Sequence, residues 1–193
     1  MSQLSKVLIL FAHPEPKRSV ANKALLKVVR NLENVTVRDL YAYYPDFFIN
    51  VHYEQQLLKE FDTIVFQFPI QTFACPALMK EWIDQVLSLR FAGSDGAKAL
   101  AGKRLRLVVT AGFAEHSYQP NGMIGFALSD VLLPFRIMAT TCHMQWVEPL
   151  MIYHARRLED DVLQQYAVKY ADWLSQPVDS AVAENQPAKE GEQ

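Results

Sequence analysis

The chain has 193 residues, half of them hydrophobic, with 19 basic and 21 acidic side chains and a formal net charge of -2. This length suffices for one domain with its own core. The near-neutral charge lacks the excess of basic side chains expected of a nucleic-acid-binding protein, and so excludes that class. Two cysteines outside any Cys-x-x-Cys pair exclude a disulfide framework and a four-cysteine zinc site, so we expect a reducing, cytoplasmic compartment.

The two ends of the chain bound the domain. The apolar run at 7–12 is too short for a signal-peptide core or a membrane span. Residues 178–193 are poor in large apolar side chains and rich in acidic and small ones, which predicts a disordered acidic tail. We therefore expect one domain over residues 1–177.

Between these ends, short β-branched runs alternate with segments of helical periodicity, which is typical of an α/β sheet. Predicted strands cover residues 6–11, 35–38, 63–68, 104–110 and 143–147. The first helix is predicted to begin after Ser19, and further helices cover 53–60, 76–89, 125–133 and 160–174, leaving loops at 40–49 and 111–124. This order favours a flavodoxin-like, doubly wound five-stranded parallel sheet, order 2-1-3-4-5, with helices on both faces.

The loop after the first predicted strand leads directly into a helix amino terminus. The backbone N–H groups of Ser19, Val20, Ala21 and Asn22, together with the Ser19 hydroxyl, suit a phosphate dianion, and His13 could donate as well. The alternative is that Ser19 is only the N-cap of the helix.

The loop after the third predicted strand is stiffened by a proline on each side. Backbone groups of Ile70, Gln71, Thr72 and Phe73 could bond the edge of an isoalloxazine ring, with the Phe73 ring beside its face. Cys75 follows, either as a redox thiol at a helix start or, the reading we favour, as a small packed residue.

The loop after the fourth predicted strand offers further N–H donors at Thr110, Ala111, Gly112 and Phe113. Tyr118 is the candidate catalytic residue, because its phenol could hydrogen-bond a quinone oxygen, with His116 or Glu115 as proton source. Right-handed crossovers place all three loops at the carboxyl edge of the sheet.

Several motifs resemble the NAD(P)H:quinone reductase family with a flavodoxin-like fold. They are Ala-His-Pro…Ser-x-Ala-Asn at 12–22, Tyr-Pro-Asp-Phe at 44–47, Gln-x-Pro at 67–69, Cys-Pro-Ala-Leu-x-Lys-Glu-Trp-Ile-Asp at 75–84 and Leu-Ala-Gly-Lys at 100–103. Within that family, over about residues 5–174, the chain is most similar to ancillary subunits of bacterial glutathione-regulated potassium-efflux systems.

The resemblance implies a homodimeric flavoprotein, peripheral on the cytoplasmic face of the inner membrane, that regulates a potassium-efflux transporter through its cytoplasmic domain. It also implies two-electron hydride transfer from NAD(P)H to a quinone, with FMN as cofactor and FAD as the alternative. By position, His13 and residues 19–22 match the phosphate site, residues 70–73 and 110–113 match the two flavin loops, and Tyr118 matches an active-site tyrosine.

The chain departs from the family pattern at three places. Thr-Ala-Gly-Phe at 110–113 stands where members have Thr-Thr-Gly-Gly, Thr72-Phe73 replaces an aromatic pair, and Ile124 replaces a histidine that partners the tyrosine. These departures support an alternative function, a non-catalytic regulatory binding module that keeps the fold without flavin activity.

Overall fold

A computed structural model of the chain describes residues 4–92 and 98–176. The predicted tail at 178–193 lies outside the described residues. The strands are β1 (Val7–Phe11), β2 (Val35–Asp39), β3 (Thr63–Pro69), β4 (Arg104–Thr110) and β5 (Gln145–Ile152). The α-helices are α1 (Val20–Val29), α2 (Leu40–Tyr43), α3 (Val51–Lys59), α4 (Ala77–Val86), α5 (Leu89–Ala92), α6 (Leu128–Val131), α7 (Leu133–Thr141) and α8 (Asp160–Leu174).

The five strands form one parallel sheet in the order β2-β1-β3-β4-β5, which confirms the predicted topology. Phe11 at the end of β1 is paired with Asp39 of β2 on one side and with Gln67 of β3 on the other. Pro69, the last residue of β3, is paired with Thr110, the last residue of β4. The loops that follow these strands therefore leave the sheet at the same edge.

Each face of the sheet carries its own apolar core, because successive side chains of a strand point to opposite faces. Leu8 and Leu10 of β1 belong to the larger core, which includes the fully buried Trp82 of α4. Val7, Ile9 and Phe11 belong to the second core, whose helical residues come from α1 and α8: Leu25, Leu26, Val29, Ala167, Tyr170 and Leu174.

Three element predictions were wrong. Instead of one helix over 125–133, the chain forms α6 and α7, and Pro134 lies in the first turn of α7, where a missing N–H costs little. The predicted loop at 40–49 begins with α2, capped by the Asp39 side chain, which accepts from the Ala42 N–H at 3.3 Å. The last strand continues to Ile152 although it contains Pro149, because it is an edge strand whose pairing shifts register there.

A buried polar cluster joins β2, α2, α3 and α4 on the side of the larger core. Glu54 is fully buried and accepts from Arg38 Nε at 2.7 Å, from the Tyr44 hydroxyl at 2.5 Å and from Trp82 Nε1 at 3.1 Å. The Arg38 guanidinium also lies 3.8 Å from the centroid of the Tyr43 ring. This cluster fixes the start of the chain segment that runs from α2 to α3.

Candidate functional site

A cleft of about 420 Å³ lies at the carboxyl edge of the sheet, within the size range of ligand pockets. It brings together ten of the residues singled out from the sequence: His13, Ser19, Val20, Ala21, Asn22, Ile70, Gln71, Thr110, Ala111 and Gly112. Thr72, Phe73, Phe113 and Tyr118 are not among the residues that line it. The cleft is thus formed by the start of α1 and by the segments at and after the ends of β1, β3, β4 and β5.

The amino terminus of α1 forms one wall of this cleft. Ser19 occupies the N-cap position with extended backbone (φ -81°, ψ 106°), yet its side chain makes no capping hydrogen bond, and the first turn of α1 contains no acidic residue. The first N–H groups of a helix lack intrahelical partners and carry its positive end. The Ser19 N–H, predicted to be one of the donors, instead donates to the Pro16 carbonyl at 3.3 Å. This wall therefore presents the N–H groups at the start of α1 and the Ser19 hydroxyl to an anion.

His13 adds a neutral donor to the same wall. Its Nδ1 accepts the backbone N–H of Glu15 at 3.1 Å, so the ring proton resides on Nε2. Burial lowers the pKa of His13 below its usual 6.5, against the opposing effect of Glu15. At neutral pH His13 is therefore an uncharged imidazole, and its Nε2–H has no acceptor among the described residues.

Two arginines line the cleft, and only one of them has an acidic partner among the described residues. Arg18 pairs with Glu15 at 2.8 Å, and both side chains are exposed. Arg156 forms no such ion pair within residues 4–92 and 98–176 and lies close enough to His13 to lower its pKa. Arg156 is thus the cation of this cleft available to balance a bound anion.

Arg156 and its neighbour Ala155 follow β5 and were missed by the sequence analysis. The Ala155 N–H donates to the Ala111 carbonyl at 3.0 Å, which holds this segment against the loop after β4. Because the predicted fifth strand ended at 147 instead of Ile152, the residues after its true end were not recognised as cleft residues. The rule that ligands bind at the carboxyl ends of parallel strands would have found them.

Three more residues that line the cleft were not singled out from the sequence: Glu15, Arg18 and Pro69. Glu15 and Arg18 lie within the loop predicted after the first strand.

Beneath the cleft runs a chain of buried polar side chains. The Tyr170 hydroxyl donates to Gln67 Oε1 at 3.4 Å, Gln67 Nε2 donates to Asn22 Oδ1 at 3.1 Å, and Asn22 Nδ2 donates to Thr110 Oγ1 at 3.1 Å. All four residues are at least nine-tenths buried. The chain links α8, β3, α1 and β4 and holds the start of α1 against the end of β4.

The loop after β3 is a tight two-residue turn. Gln71 and Ala74 exchange backbone hydrogen bonds of 2.9 and 3.0 Å, and the intervening Thr72 and Phe73 have positive φ angles of 46° and 62°. Two such residues are required by a type I′ turn, which favours Asn and Gly there. The Phe73 ring is half exposed, at 52%. The turn therefore keeps Phe73 at the surface instead of in the core.

Backbone hydrogen bonds fix the start of the loop after β4. The Thr110 carbonyl accepts the Ile70 N–H at 2.8 Å, and the Ala111 N–H donates to the Ile152 carbonyl at 2.8 Å. A Cβ on Gly112 would meet no protein atom within 4 Å, so glycine leaves open space at the cleft. The Phe113 side chain is 46% exposed.

Tyr118 ends a short 3₁₀ turn, Glu115–Tyr118, and its side chain is only 2% exposed. Its ring packs 5.6 Å from the Tyr153 ring, measured between centroids, and burial raises the pKa of its phenol. Glu115 and His116 in the same turn are exposed. In this conformation the phenol predicted to be catalytic is packed in the core and does not line the cleft.

Cys75 is partly buried and packs against the larger core. Burial raises the pKa of its thiol to about 11. A thiol with this pKa is protonated at neutral pH and a poor nucleophile, which agrees with the favoured reading of Cys75 as a packed small residue.

None of the helices within 4–92 and 98–176 has both the length and the hydropathy needed to cross a membrane. The same part of the chain has no cluster of three or more His, Cys, Asp or Glu suited to a metal ion.

Comparison with known proteins gives concordant results. A family model described as a flavodoxin-like fold matches residues 5–174. The glutathione-regulated potassium-efflux system ancillary protein KefG of Pectobacterium carotovorum is 53% identical over 178 residues, which is 92% of this chain and 97% of the relative. KefG of Serratia proteamaculans is 52% identical over the same shares.

Solved structures extend the comparison. General stress protein 14 of Treponema denticola in complex with FMN is 35% identical with a TM-score of 0.81, over 88% of this chain and 97% of that one. An NADPH-quinone reductase from P. pentosaceus is 32% identical with a TM-score of 0.81 over the same shares. The chain therefore belongs to the family of flavodoxin-like fold proteins that includes the KefG ancillary proteins.

Proposed function

We propose that this protein is a regulatory ancillary subunit of a glutathione-gated potassium-efflux system and that it binds FMN and has NAD(P)H:quinone oxidoreductase activity. The observation that carries the flavin part is the cleft itself, in which a helix amino terminus with unused donors meets two loops that flank open space. The transporter part is supported by the similarity to KefG.

The residues present fit FMN in the chemistry of their donors. A phosphate dianion matches the N–H groups of residues 20–22, the Ser19 hydroxyl, the neutral His13 and the cation of Arg156. A flat ring matches the open side of Gly112 and the cleft lining at Ile70 and Gln71, whose backbone N–H groups are already bonded to Thr110 and Ala74. We prefer FMN to FAD because FMN ends in a phosphate group, and the donors at the start of α1 suit a terminal phosphate.

When bound, FMN would supply the capacity to accept and deliver a hydride. The protein's own residues would hold the phosphate at the amino terminus of α1 and position the ring against the loops after β3 and β4. The overall reaction would convert NAD(P)H, a proton and a quinone into NAD(P)⁺ and a hydroquinone. Tyr118 would polarise the quinone oxygen only after moving from its buried position, because its phenol does not line the cleft.

Titration of the purified apo-protein with FMN, FAD and riboflavin by fluorescence quenching tests the flavin site. We expect a Kd for FMN in the micromolar range or tighter and weaker binding of riboflavin, which lacks the phosphate. Absence of binding by all three flavins would overturn the flavin part of the proposal.

The regulatory part requires a transporter partner. We propose that the protein docks on the cytoplasmic domain of a potassium-efflux transporter and so resides at the cytoplasmic face of the inner membrane. Deletion of the gene is expected to reduce potassium efflux after an electrophile is added, and expression of the protein in trans should restore it. Unchanged efflux in the deletion strain would contradict this part.

We also propose that the protein acts as a homodimer. Tyr43, Phe47 and Phe48, near the start of the segment from α2 to α3, are 58%, 40% and 85% exposed, and such a group of apolar rings is typical of an interface. Tyr44, which follows Tyr43 in the chain, is buried in the Glu54 cluster and does not belong to this group.

A second candidate is a regulatory module that binds its partner without catalysing electron transfer. It is favoured by the burial of Tyr118, which removes the predicted catalytic phenol from the cleft. The two candidates differ in one assay, since only the first predicts NAD(P)H oxidation that depends on both FMN and an added quinone. FMN binding and efflux regulation without this turnover would select the second.

A further inference from the structure

The direction of the buried hydrogen-bonded chain under the cleft is set by the Tyr170 phenol, whose proton has no acceptor other than Gln67 Oε1 among the described residues. The Tyr170 phenol is fully buried, and burial raises its pKa, so it keeps its proton at any physiological pH. Its hydroxyl lies 3.4 Å from Gln67 Oε1, which accepts. With its oxygen so engaged, the Gln67 amide turns its Nε2 toward Asn22.

The orientation of the Gln67 amide in turn fixes the orientation of the Asn22 amide. Asn22 Oδ1 accepts from Gln67, so Asn22 turns its Nδ2 toward Thr110 and donates to Oγ1 at 3.1 Å. Reversing one amide alone would set two donors or two acceptors against each other. Reversing both would leave the buried Tyr170 proton without an acceptor among the described residues. The orientation of Thr110 is therefore linked to a phenol on α8, three side chains away.

Thr110 is the last member of this hydrogen-bonded chain, and its hydroxyl still has a proton to donate. Thr110 Oγ1 accepts from Asn22, and none of the described residues accepts its hydroxyl proton. Thr110 is only 5% exposed and lines the cleft. A buried hydroxyl proton requires an acceptor, and the remaining direction for it is the cleft.

We propose that Tyr170 and Gln67 are positioning residues that orient the Thr110 hydroxyl as a hydrogen-bond donor into the cleft, so that this wall recognises an acceptor atom of the ligand. The inference rests on the proposed flavin site and specifies it further. The ligand atom at Thr110 is an oxygen or an unprotonated ring nitrogen, not an N–H group.

The proposal predicts coupling between two residues that do not touch. Thr110→Val removes the donor and is expected to weaken FMN binding about threefold to tenfold, the change typical of one hydrogen bond. Tyr170→Phe lets both amides reverse, so that Thr110 donates to Asn22 instead, and is expected to weaken FMN binding about threefold. The double variant should bind FMN no more weakly than Thr110→Val alone.

The matched control is Tyr44→Phe, which removes another buried phenol hydroxyl, in the Glu54 cluster away from the cleft. It should lower the thermal unfolding temperature without changing the Kd for FMN. In a Thr110→Ser background, which keeps the hydroxyl, Tyr170→Phe should weaken FMN binding again. Gln67→Met interrupts the row of hydrogen bonds one residue closer to the cleft. It is measured in parallel, so that poor folding of one variant does not decide the test.

Two results would overturn the inference while the flavin site stands. One is wild-type affinity for FMN in both Tyr170→Phe and Gln67→Met. The other is multiplication of the Tyr170→Phe and Thr110→Val losses in the double variant. If the wild-type protein binds no FMN at all, the proposed function itself fails, which is a different outcome of the same titration.

Discussion

Glu15 Oε2 lies 2.8 Å from Arg18 Nη1 at the rim of the cleft, so these two charges balance each other. Arg156, which lines the same cleft from the segment after β5, has no acidic partner of this kind among the described residues. The electrostatic contribution to anion binding therefore depends on a residue that lies 138 positions from Arg18 in the chain.

The first prediction concerns Arg156. Arg156→Gln should weaken FMN binding about tenfold, because one charge-assisted hydrogen bond to a phosphate is lost. Riboflavin binding should change less than about twofold, since riboflavin carries no phosphate. Fluorescence titrations of both ligands measure the two effects. Arg157→Gln, a neighbouring exposed arginine that does not line the cleft, is the control, and an equal loss in both variants would contradict the prediction.

The second prediction concerns pH. Burial lowers the pKa of His13 in the folded chain below 6.5, so the unfolded chain binds that proton more readily. The contribution of His13 to the free energy of unfolding is present above about pH 6.5 and is lost as the pH falls through the lowered folded-state pKa. Urea unfolding between about pH 7.5 and pH 5 should show a smaller loss of stability in His13→Asn than in the wild type. Parallel curves for the two proteins would exclude this role.

The third prediction tests the buried cluster around Glu54. Burial opposes the charge of Arg38, but its hydrogen bonds to Glu54 and Tyr44 raise its pKa overall. Glu54→Ala leaves this buried guanidinium without its carboxylate and should lower the free energy of unfolding by about 3 kcal/mol or more. Denaturant titration gives the value. Asp84→Ala, which removes the carboxylate of the exposed Lys80 pair, should cost less than about 1 kcal/mol.

The fourth prediction separates strain from binding at Phe73. Phe73 and Phe47 both have positive φ angles, of 62° and 64°, and both are exposed. Glycine relieves the left-handed backbone but adds freedom to the unfolded chain, so each Phe→Gly variant should change the free energy of unfolding by only about 1 kcal/mol. Phe73→Gly should weaken FMN binding and Phe47→Gly should not. Wild-type affinity in both variants would contradict a contact between the Phe73 ring and the bound flavin.

The fifth prediction addresses the proposed dimer. Phe48 is 85% exposed, and Phe48→Lys places a charge within the aromatic patch. Light scattering should give a dimer mass for the wild type and a lower average mass for Phe48→Lys. Val168→Lys adds the same charge at a half-exposed position of α8 and should remain dimeric. A monomeric wild type would refute the dimer proposal.

The order of the sheet and the three loops of the cleft were predictable because both depend on local information. Hydrophobic periodicity separates strands from helices, and parallel strands joined by right-handed crossovers must end at one edge. Residues that follow β1, β3 and β4 are therefore placed at the cleft by their position in the chain alone. Arg156 follows the same rule and was missed because the predicted fifth strand ended at 147, whereas β5 continues to Ile152.

Only the tertiary structure decided which way individual side chains face. The sequence placed Tyr118 in a loop after a strand, but the packing of its ring against Tyr153 turns the phenol into the core. The contact between Tyr170 and Gln67 spans 103 positions and exists because α8 packs beside α1 on one face of the sheet. Periodicity shows which face of an element is buried, whereas the partner of a buried polar atom depends on how the elements pack together.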